Sequence, residues 1–387
     1  ERCESSGLSS SFFAFISTTP PKSFFYDHMT ELVKEYEVHL LSNFGNNNEL
    51  KDIFSSINVV CHDIPIKRKI SIFDDLKTLN FIRKIYKKEK FDSVHSVTPK
   101  AGLLNALAGK LARIPHRIHI YTGQVWATRR GFMRSLLKFT DKIPAVFNTE
   151  LLVDGMSQRK FLISEGVLKE NNSYVLANGS ICGVHLERFN ISSEVRKVER
   201  EKFGFNEDDV VFIFLGRLNH DKGIGELYEA FDQFVVENPK AKLLLYGKDE
   251  ENYEEKSKNY SNIIRDRNFF YPGLTRTPFD ALQAGDVFVL PTWREGFGSS
   301  VIEAQALALP VITSDAYGVV DASVPGETGM RCKVDDPEGL RQCMKYYYDN
   351  PEIRRQHGIN GRKRVEEKFD NKVVTQAWVE FYRKMLS

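Results

Sequence analysis

The sequence predicts two doubly wound α/β domains facing a central cleft, on three observations. Short apolar runs alternate with amphipathic segments almost throughout, as βα units on parallel sheets require. The alternation is interrupted once, by the polar, charge-rich stretch 189–209, and then resumes in the same style. The 387 residues also exceed the roughly 100–200 of a typical single domain.

Taken in order, the first half places strands at 12–16, 37–42, 57–62, 93–96, 117–121, 145–148 and 174–176, with helical patterns at 25–34, 72–90 and 102–112. The second half places strands at 210–215, 242–246, 263–265, 286–290 and 311–314, with helices at 225–237, 277–284, 300–308, 337–349 and 351–368. The expected division is a first domain at 12–188, a linker at 189–209, a second domain at 210–368 and an amphipathic final helix within 369–387. No short repeat period is present, which excludes a solenoid. In doubly wound sheets ligands sit beyond the carboxyl ends of the strands.

Composition narrows the class. Hydrophobic residues make up 42% and charged residues 27%, which excludes a wholly disordered or fibrous chain. Lys+Arg at 54 against Asp+Glu at 52 gives a formal charge of +2, so no nucleic-acid partner is expected. Five scattered cysteines, Cys3, Cys61, Cys182, Cys332 and Cys343, never take C-x-x-C spacing, and a reducing cytoplasm is the expected compartment. No apolar run reaches the ~18 residues of a membrane span. The polar start 1–11 reads as a remnant or trimmed leader, and 12–16 as a first buried strand too short for a signal core.

The strongest local signal is Leu290-Pro-Thr-Trp-Arg-Glu-Gly-Phe-Gly-Ser-Ser-Val-Ile-Glu303. A buried strand runs into a glycine-bearing loop, and a helix starts near Ser299 or Ser300. The free amides and partial positive charge of a helix start favour an anion, and Gly296 and Gly298 let the backbone approach it. Glu295 and Glu303 flank this site and suit sugar hydroxyls rather than phosphate. The plainer reading is an ordinary βα turn with one surface and one helical glutamate.

The second signal is Phe212-Ile-Phe-Leu-Gly-Arg-Leu-Asn-His-Asp-Lys-Gly223. Here a strand ends at Gly216 and the loop carries Arg217 and Lys222, a planar fork and a point charge that suit a diphosphate. Two solvated loop cations are the plainer reading. Complementary chemistry on two βα turns of one domain favours a sugar-nucleotide pocket.

Together, Gly216-Arg217-Leu218…Lys222-Gly223 and Pro291…Glu295-Gly-Phe-Gly-Ser-Ser-Val-Ile-Glu303 resemble the retaining glycosyltransferases of the GT-B fold, family 4, with its E-x7-E motif. The likeness runs from about residue 12 to the end. His95-Ser-Val-Thr-Pro-Lys-Ala-Gly102, Tyr121-Thr-Gly-Gln-Val-Trp126 and Asn178-Gly-Ser-Ile-Cys-Gly-Val184 resemble bacterial capsule and O-antigen transferases.

The resemblance implies two Rossmann-like domains, an N-terminal one for the acceptor and a C-terminal one for the donor, with the last helix returning to the first. It implies a hexosyltransferase using a nucleoside-diphosphate sugar, UDP-linked, and a lipid-linked saccharide acceptor, with no cofactor and no metal. Arg217, Lys222 and Glu295 would be the catalytic set. Gly216, Gly273, Phe297, Gly298, Ser299, Ser300, Val301 and Glu303 would complete the donor site, Glu303 holding the ribose and the segment around Tyr271-Pro-Gly273 passing near the base. Lys22, Thr122 and Gly123 would lie on the acceptor side. In place of the glycine-rich first loop of many relatives stands Thr18-Thr-Pro-Pro-Lys22, and Thr122 rather than His precedes Gly123. By strand alternation His119 faces away from Thr122 and reads as a packed or surface histidine. Asp27, His28 and His95 lie near expected strand ends, as base candidates or as surface and capping residues.

The segment 127–139 mixes Arg129, Arg130, Arg134 and Lys138 with Phe132, Met133, Leu136 and Leu137. A basic amphipathic helix lies on an anionic bilayer, or else turns its apolar side into the core. The first option would put the protein on the inner face of the membrane. A reading of another class, a non-catalytic sugar-nucleotide-binding or scaffold subunit, is opposed by the intact Arg217, Lys222, Glu295 and Glu303.

Overall fold

In a computed structural model, residues 12–18, 22–45, 47–67, 71–262 and 268–387 are described. The chain divides into two compact units, one running to Cys182 and adding Lys372–Ser387, the other covering Gly183–Asn371.

The first unit is built on a 7-stranded parallel sheet of β1 (Phe12–Ile16), β2 (Glu37–Ser42), β3 (Val60–Asp63), β4 (Ser93–Ser96), β5 (His116–Tyr121), β6 (Glu150–Val153) and β7 (Ser173–Tyr174), in the order β3-β2-β1-β4-β5-β6-β7. The second carries a 6-stranded parallel sheet of β8 (Val210–Leu215), β9 (Ala241–Tyr246), β10 (Phe269–Gly273), β11 (Val287–Leu290), β12 (Val311–Ser314) and β13 (Gly329–Cys332), in the order β10-β9-β8-β11-β12-β13. Strands covered by helices on both faces read as continuous apolar runs, as Val210-Val-Phe-Ile-Phe-Leu215 does. Phe212 and Phe214 are fully buried there, each contributing about 1.5–3 kcal/mol through apolar burial. Each sheet reverses its strand order once, between β1 and β4 and between β8 and β11.

Several expected elements are corrected. The strand expected at 145–148 is instead the end of helix Gly131–Phe147, and the strand is Glu150–Val153. Pro144 misleads here: the helix continues through it, and its carbonyl accepts the amide of Asn148. The strand expected at 57–62 is Val60–Asp63, because a turn with Asn58 at φ 63° ends the preceding helix Asn48–Ser55. The strand at 263–265 lies outside the described residues. β10 carries Pro272, which a strand tolerates at the edge of a sheet, and β10 is an edge. The segment 189–209 contains helix Ser193–Glu201, where Arg196 and Arg200 both reach the Asp286 carboxylate, at 2.6 and 3.1 Å.

Helix Asn371–Leu386 packs in the core of the first unit. Trp378 and Tyr382 are buried among Phe13, Phe15 and Phe25, and the Tyr382 and Phe13 rings meet edge to face at 4.4 Å. His28 donates Nε2–H to the Ile181 carbonyl at 2.7 Å and meets Thr375 Oγ1 at 2.9 Å, while His95 Nδ1 lies 2.6 Å from the Tyr382 hydroxyl. Among the described residues no helix is long and apolar enough to cross a membrane.

Candidate active site

Because β8 and β11 are neighbours, their following loops emerge side by side at the switch point of the second sheet. The first loop leaves Gly216, forms a 3-10 turn at His220–Lys222 and enters helix Ile224–Glu237 through Gly223 at φ 70°. A Cβ at Gly223 would lie 2.0 Å from the Pro291 carbonyl oxygen, so only glycine lets the two loops touch. The second loop runs from Pro291 to Gly298, whose φ of 97° turns the chain into helix Ser299–Ala306.

Side chains lace these loops together. The Asp221 carbonyl accepts both the Trp293 amide and the Thr292 hydroxyl at 2.8 Å. Arg294 donates to the Asp221 carboxylate from Nε and Nη2 at 3.1 and 2.6 Å. Trp293 donates its indole N–H to Glu226 at 2.9 Å and lies against His220, ring centroids 4.7 Å apart. This scaffold puts the Lys222 ammonium in contact with the Glu295 carboxylate. Arg217 projects outward and pairs with Glu250 at 3.0 Å, which also accepts from Asn219 at 3.0 Å.

Gly318, at φ 84°, supports the other side of Glu295: a Cβ there would lie 2.3 Å from the Glu295 carbonyl oxygen. Ser299 and Ser300 open the helix, half-buried. Glu303 sits in its second turn, and burial pushes its carboxyl up to about 7. Phe297 and Val301 turn their side chains into the core, Phe297 against the ring of Phe369 at 5.3 Å, which leaves only their backbone for a ligand. Gly273 ends β10 at the same sheet edge; its carbonyl accepts the Gly247 amide at 2.9 Å, and the Tyr271 hydroxyl donates to the Gly247 carbonyl at 2.8 Å.

The structure thus brings Gly216, Arg217, Lys222, Glu295, Gly298, Ser299 and Glu303 to one edge of one sheet. Sequence reasoning missed Asp221, Glu226, Glu250, Trp293 and Arg294. Trp293 and Arg294 stand inside the motif that was singled out, but their partners are 67 and 73 positions away. Lys22, Thr122 and Gly123 belong to the first unit. Lys22 is exposed at the start of helix Lys22–Leu32, and Thr122 and Gly123 follow β5 directly, Gly123 at φ 106°. The base candidates His28 and His95 are neither surface nor capping residues but buried core groups. His119 is packed, its Nδ1 2.9 Å from Ser96 Oγ and its ring against Gly102, and burial lowers it to about 4.

Two doubly wound parallel sheets, with two loops and a helix start gathered at the switch point of the second, are the architecture of the GT-B fold. Residues 195–364 match the model of glycosyl transferases group 1, and residues 19–143 that of glycosyl transferase 4-like domains. The capsular polysaccharide biosynthesis glycosyltransferase CapM of Staphylococcus aureus is 33% identical over 91% of both chains. The N,N'-diacetylbacillosaminyl-diphospho-undecaprenol alpha-1,3-N-acetylgalactosaminyltransferase of Campylobacter jejuni is 24% identical over 87% of this chain and 88% of its own. Among solved structures, Anabaena HepE with UDP and glucose superposes with a TM-score of 0.78 at 15% identity, covering 96% of this chain and 99% of that one. The chain belongs to the group 1, family 4-like glycosyltransferases.

Proposed function

We propose that this glycosyltransferase moves a hexose from a UDP-linked donor to a lipid-linked saccharide during surface-polysaccharide synthesis, with retention of anomeric configuration and without a metal or cofactor. The observation that carries the reading is the meeting of Lys222 and Glu295 beside the start of helix Ser299–Ala306, with Arg217 on the same loop as Lys222. Cations and helix amides stabilise the charge that develops on a departing diphosphate. The bond from the anomeric carbon to the diphosphate oxygen breaks, the acceptor oxygen bonds on the same face, and its proton leaves on the diphosphate. Glu295 is suited to the hydroxyls of the transferred sugar and Glu303 to those of the ribose. The acceptor class is carried over from relatives: those of Campylobacter jejuni and Escherichia coli are named for saccharides on diphospho-undecaprenol, and CapM for capsule.

The test is UDP release from a panel of UDP-hexoses with a polyprenyl-diphosphate saccharide, run with and without excess EDTA. Transfer that persists in EDTA and yields the donor's anomer is expected. An inverted product, or complete loss restored by added metal, overturns the reading.

A further inference from the structure

Helix Gly131–Phe147 carries an apolar ridge on its solvent side. Its basic side chains face inward: Arg134 and Lys138 pair with Glu165 at 2.7 and 2.6 Å and lie over the buried Trp126 ring at 5.3 and 5.7 Å. Trp126 donates its indole N–H to Asp141 at 2.7 Å, which holds the same face to the domain. Leu137 and Ala145 pack against the core beside them, but a second set of apolar residues points outward. Phe132 is 80% exposed, and Met133, Leu136, Phe139 and Val146 are exposed beside it; positions 132, 136, 139 and 146 share one helical face.

A second ridge matches it. Helix Ile72–Glu89 exposes Ile72, Phe73 and Leu76 in its first turns, Phe73 at 81%. This helix follows β3 and helix Gly131–Phe147 follows β5, so both begin at the carboxyl edge of the same parallel sheet. Both pack against helix Pro99–Ala112, which fixes them on one face of that sheet. Exposed aromatic and aliphatic side chains gathered at one end of a domain mark an interaction surface.

Charge selects the partner. Carboxylates near these ridges are already neutralised, Asp74 by Lys67 at 2.9 Å, Asp75 by Lys100 at 2.6 Å and Glu165 as above. Lys77, Arg129 and Arg130 are exposed, and among the described residues they form no ion pair. Apolar ridges rimmed by spare cations fit the acyl boundary and headgroups of an anionic bilayer.

We infer that the first unit docks on an anionic lipid surface through both ridges, Ile72, Phe73 and Leu76 on one and Phe132, Leu136 and Phe139 on the other. Two shallow insertion points fix an orientation that one helix would leave free to roll. The carboxyl edge of the sheet, with Thr122 and Gly123, then faces the bilayer in which a lipid-linked acceptor sits. This deepens the acceptor assignment proposed above and is tested without any sugar.

The full chain is sedimented with phosphatidylglycerol–phosphatidylcholine vesicles and with pure phosphatidylcholine vesicles. Salt-sensitive binding to the first and weak binding to the second are expected. Phe73→Glu, and separately Phe132→Glu with Phe139→Glu, each lower vesicle affinity about tenfold or more. Arg129→Gln with Arg130→Gln lowers it about fivefold per cation. Val236→Glu, at an exposed position of the second unit, leaves it unchanged. Thermal melts confirm that each variant is folded, and acceptor-free UDP release is measured separately, so failure of docking is distinguishable from failure of the transfer reading. Wild-type protein that ignores anionic vesicles overturns the inference. So does a folded variant of either ridge that binds like wild type. Self-association without lipid, lost in the same variants, assigns the face to a second copy and also overturns it.

Discussion

Asp221 and Arg294 lie on different βα loops, yet Arg294 grips one oxygen of the Asp221 carboxylate from both Nε and Nη2, at 3.1 and 2.6 Å. The grip sits next to Lys222 on one side and Glu295 on the other. Lys222 and Glu295, which touch each other, are each one position from a member of that pair. Arg294→Ala leaves a half-buried carboxylate without this partner, at a cost of about 1–3 kcal/mol. Urea unfolding is expected to show that loss. Steady-state kinetics are expected to show a raised donor KM together with a lower kcat, and Arg294→Lys to restore the stability better than the kinetics.

Lys222 and Arg217 are expected to separate. Lys222 is mostly enclosed and touches Glu295, whereas Arg217 is exposed and pairs with Glu250. Lys222→Ala is expected to cut kcat by about 100–1000-fold, and Arg217→Ala by less, with more of its effect in donor KM. Initial rates over a range of donor concentrations decide it; equal and trivial effects remove both from the reaction.

Glu303 gives a pH signature. Its carboxyl is raised to about 7 by burial, against about 4.5 when solvated. The folded state therefore holds a proton that the unfolded state has released, and stability declines as pH rises from about 4.5 through about 7. Glu303→Gln is expected to flatten that decline. Donor binding runs the other way, since ribose hydroxyls donate best to the ionised carboxylate. The donor KM is expected to fall as pH rises through about 7 in the wild type and to be flat there in Glu303→Gln, read by UDP release across pH 5.5–8.5.

The buried histidines act in the opposite sense. Burial lowers His95 well below 6.5 and His119 to about 4. Below about pH 6.5 the unfolded chain takes up protons that these rings refuse, so stability is complete above that pH and is lost as pH falls toward 4. Urea midpoints at successive pH values are expected to drop on acidification, and His95→Asn is expected to make the drop shallower.

Strands β1, β2, β8 and β12 were legible because their apolar runs are short and bounded by turn residues; β4, Ser93-Val-His-Ser96, lies where it was expected without such a run. β6 was missed because Pro144 disguised a helix end as a strand, and β13 because Gly329-Met-Arg-Cys332 carries no alternating or continuous apolar signal. The loop motifs made the candidate donor-side residues legible, since strand, glycine and helix start are written consecutively. The Asp221–Arg294 and Trp293–Glu226 pairs are long-range facts of folding, invisible to spacing. Helix Gly131–Phe147 was half legible: amphipathicity shows in the sequence, but which residues turn outward depends on Glu165 and Trp126.

Trp378 and Tyr382 complete the first unit's core from Asn371–Leu386, after the whole second unit has been written into the chain. On the ribosome, then, the first unit emerges early and waits. Phe13, Phe15 and Phe25 are made before Trp378 and Tyr382, the residues that cover them. Loss of the chain from Val374 onward would therefore take Trp378 and Tyr382 out of this core and leave Phe13, Phe15 and Phe25 without their cover.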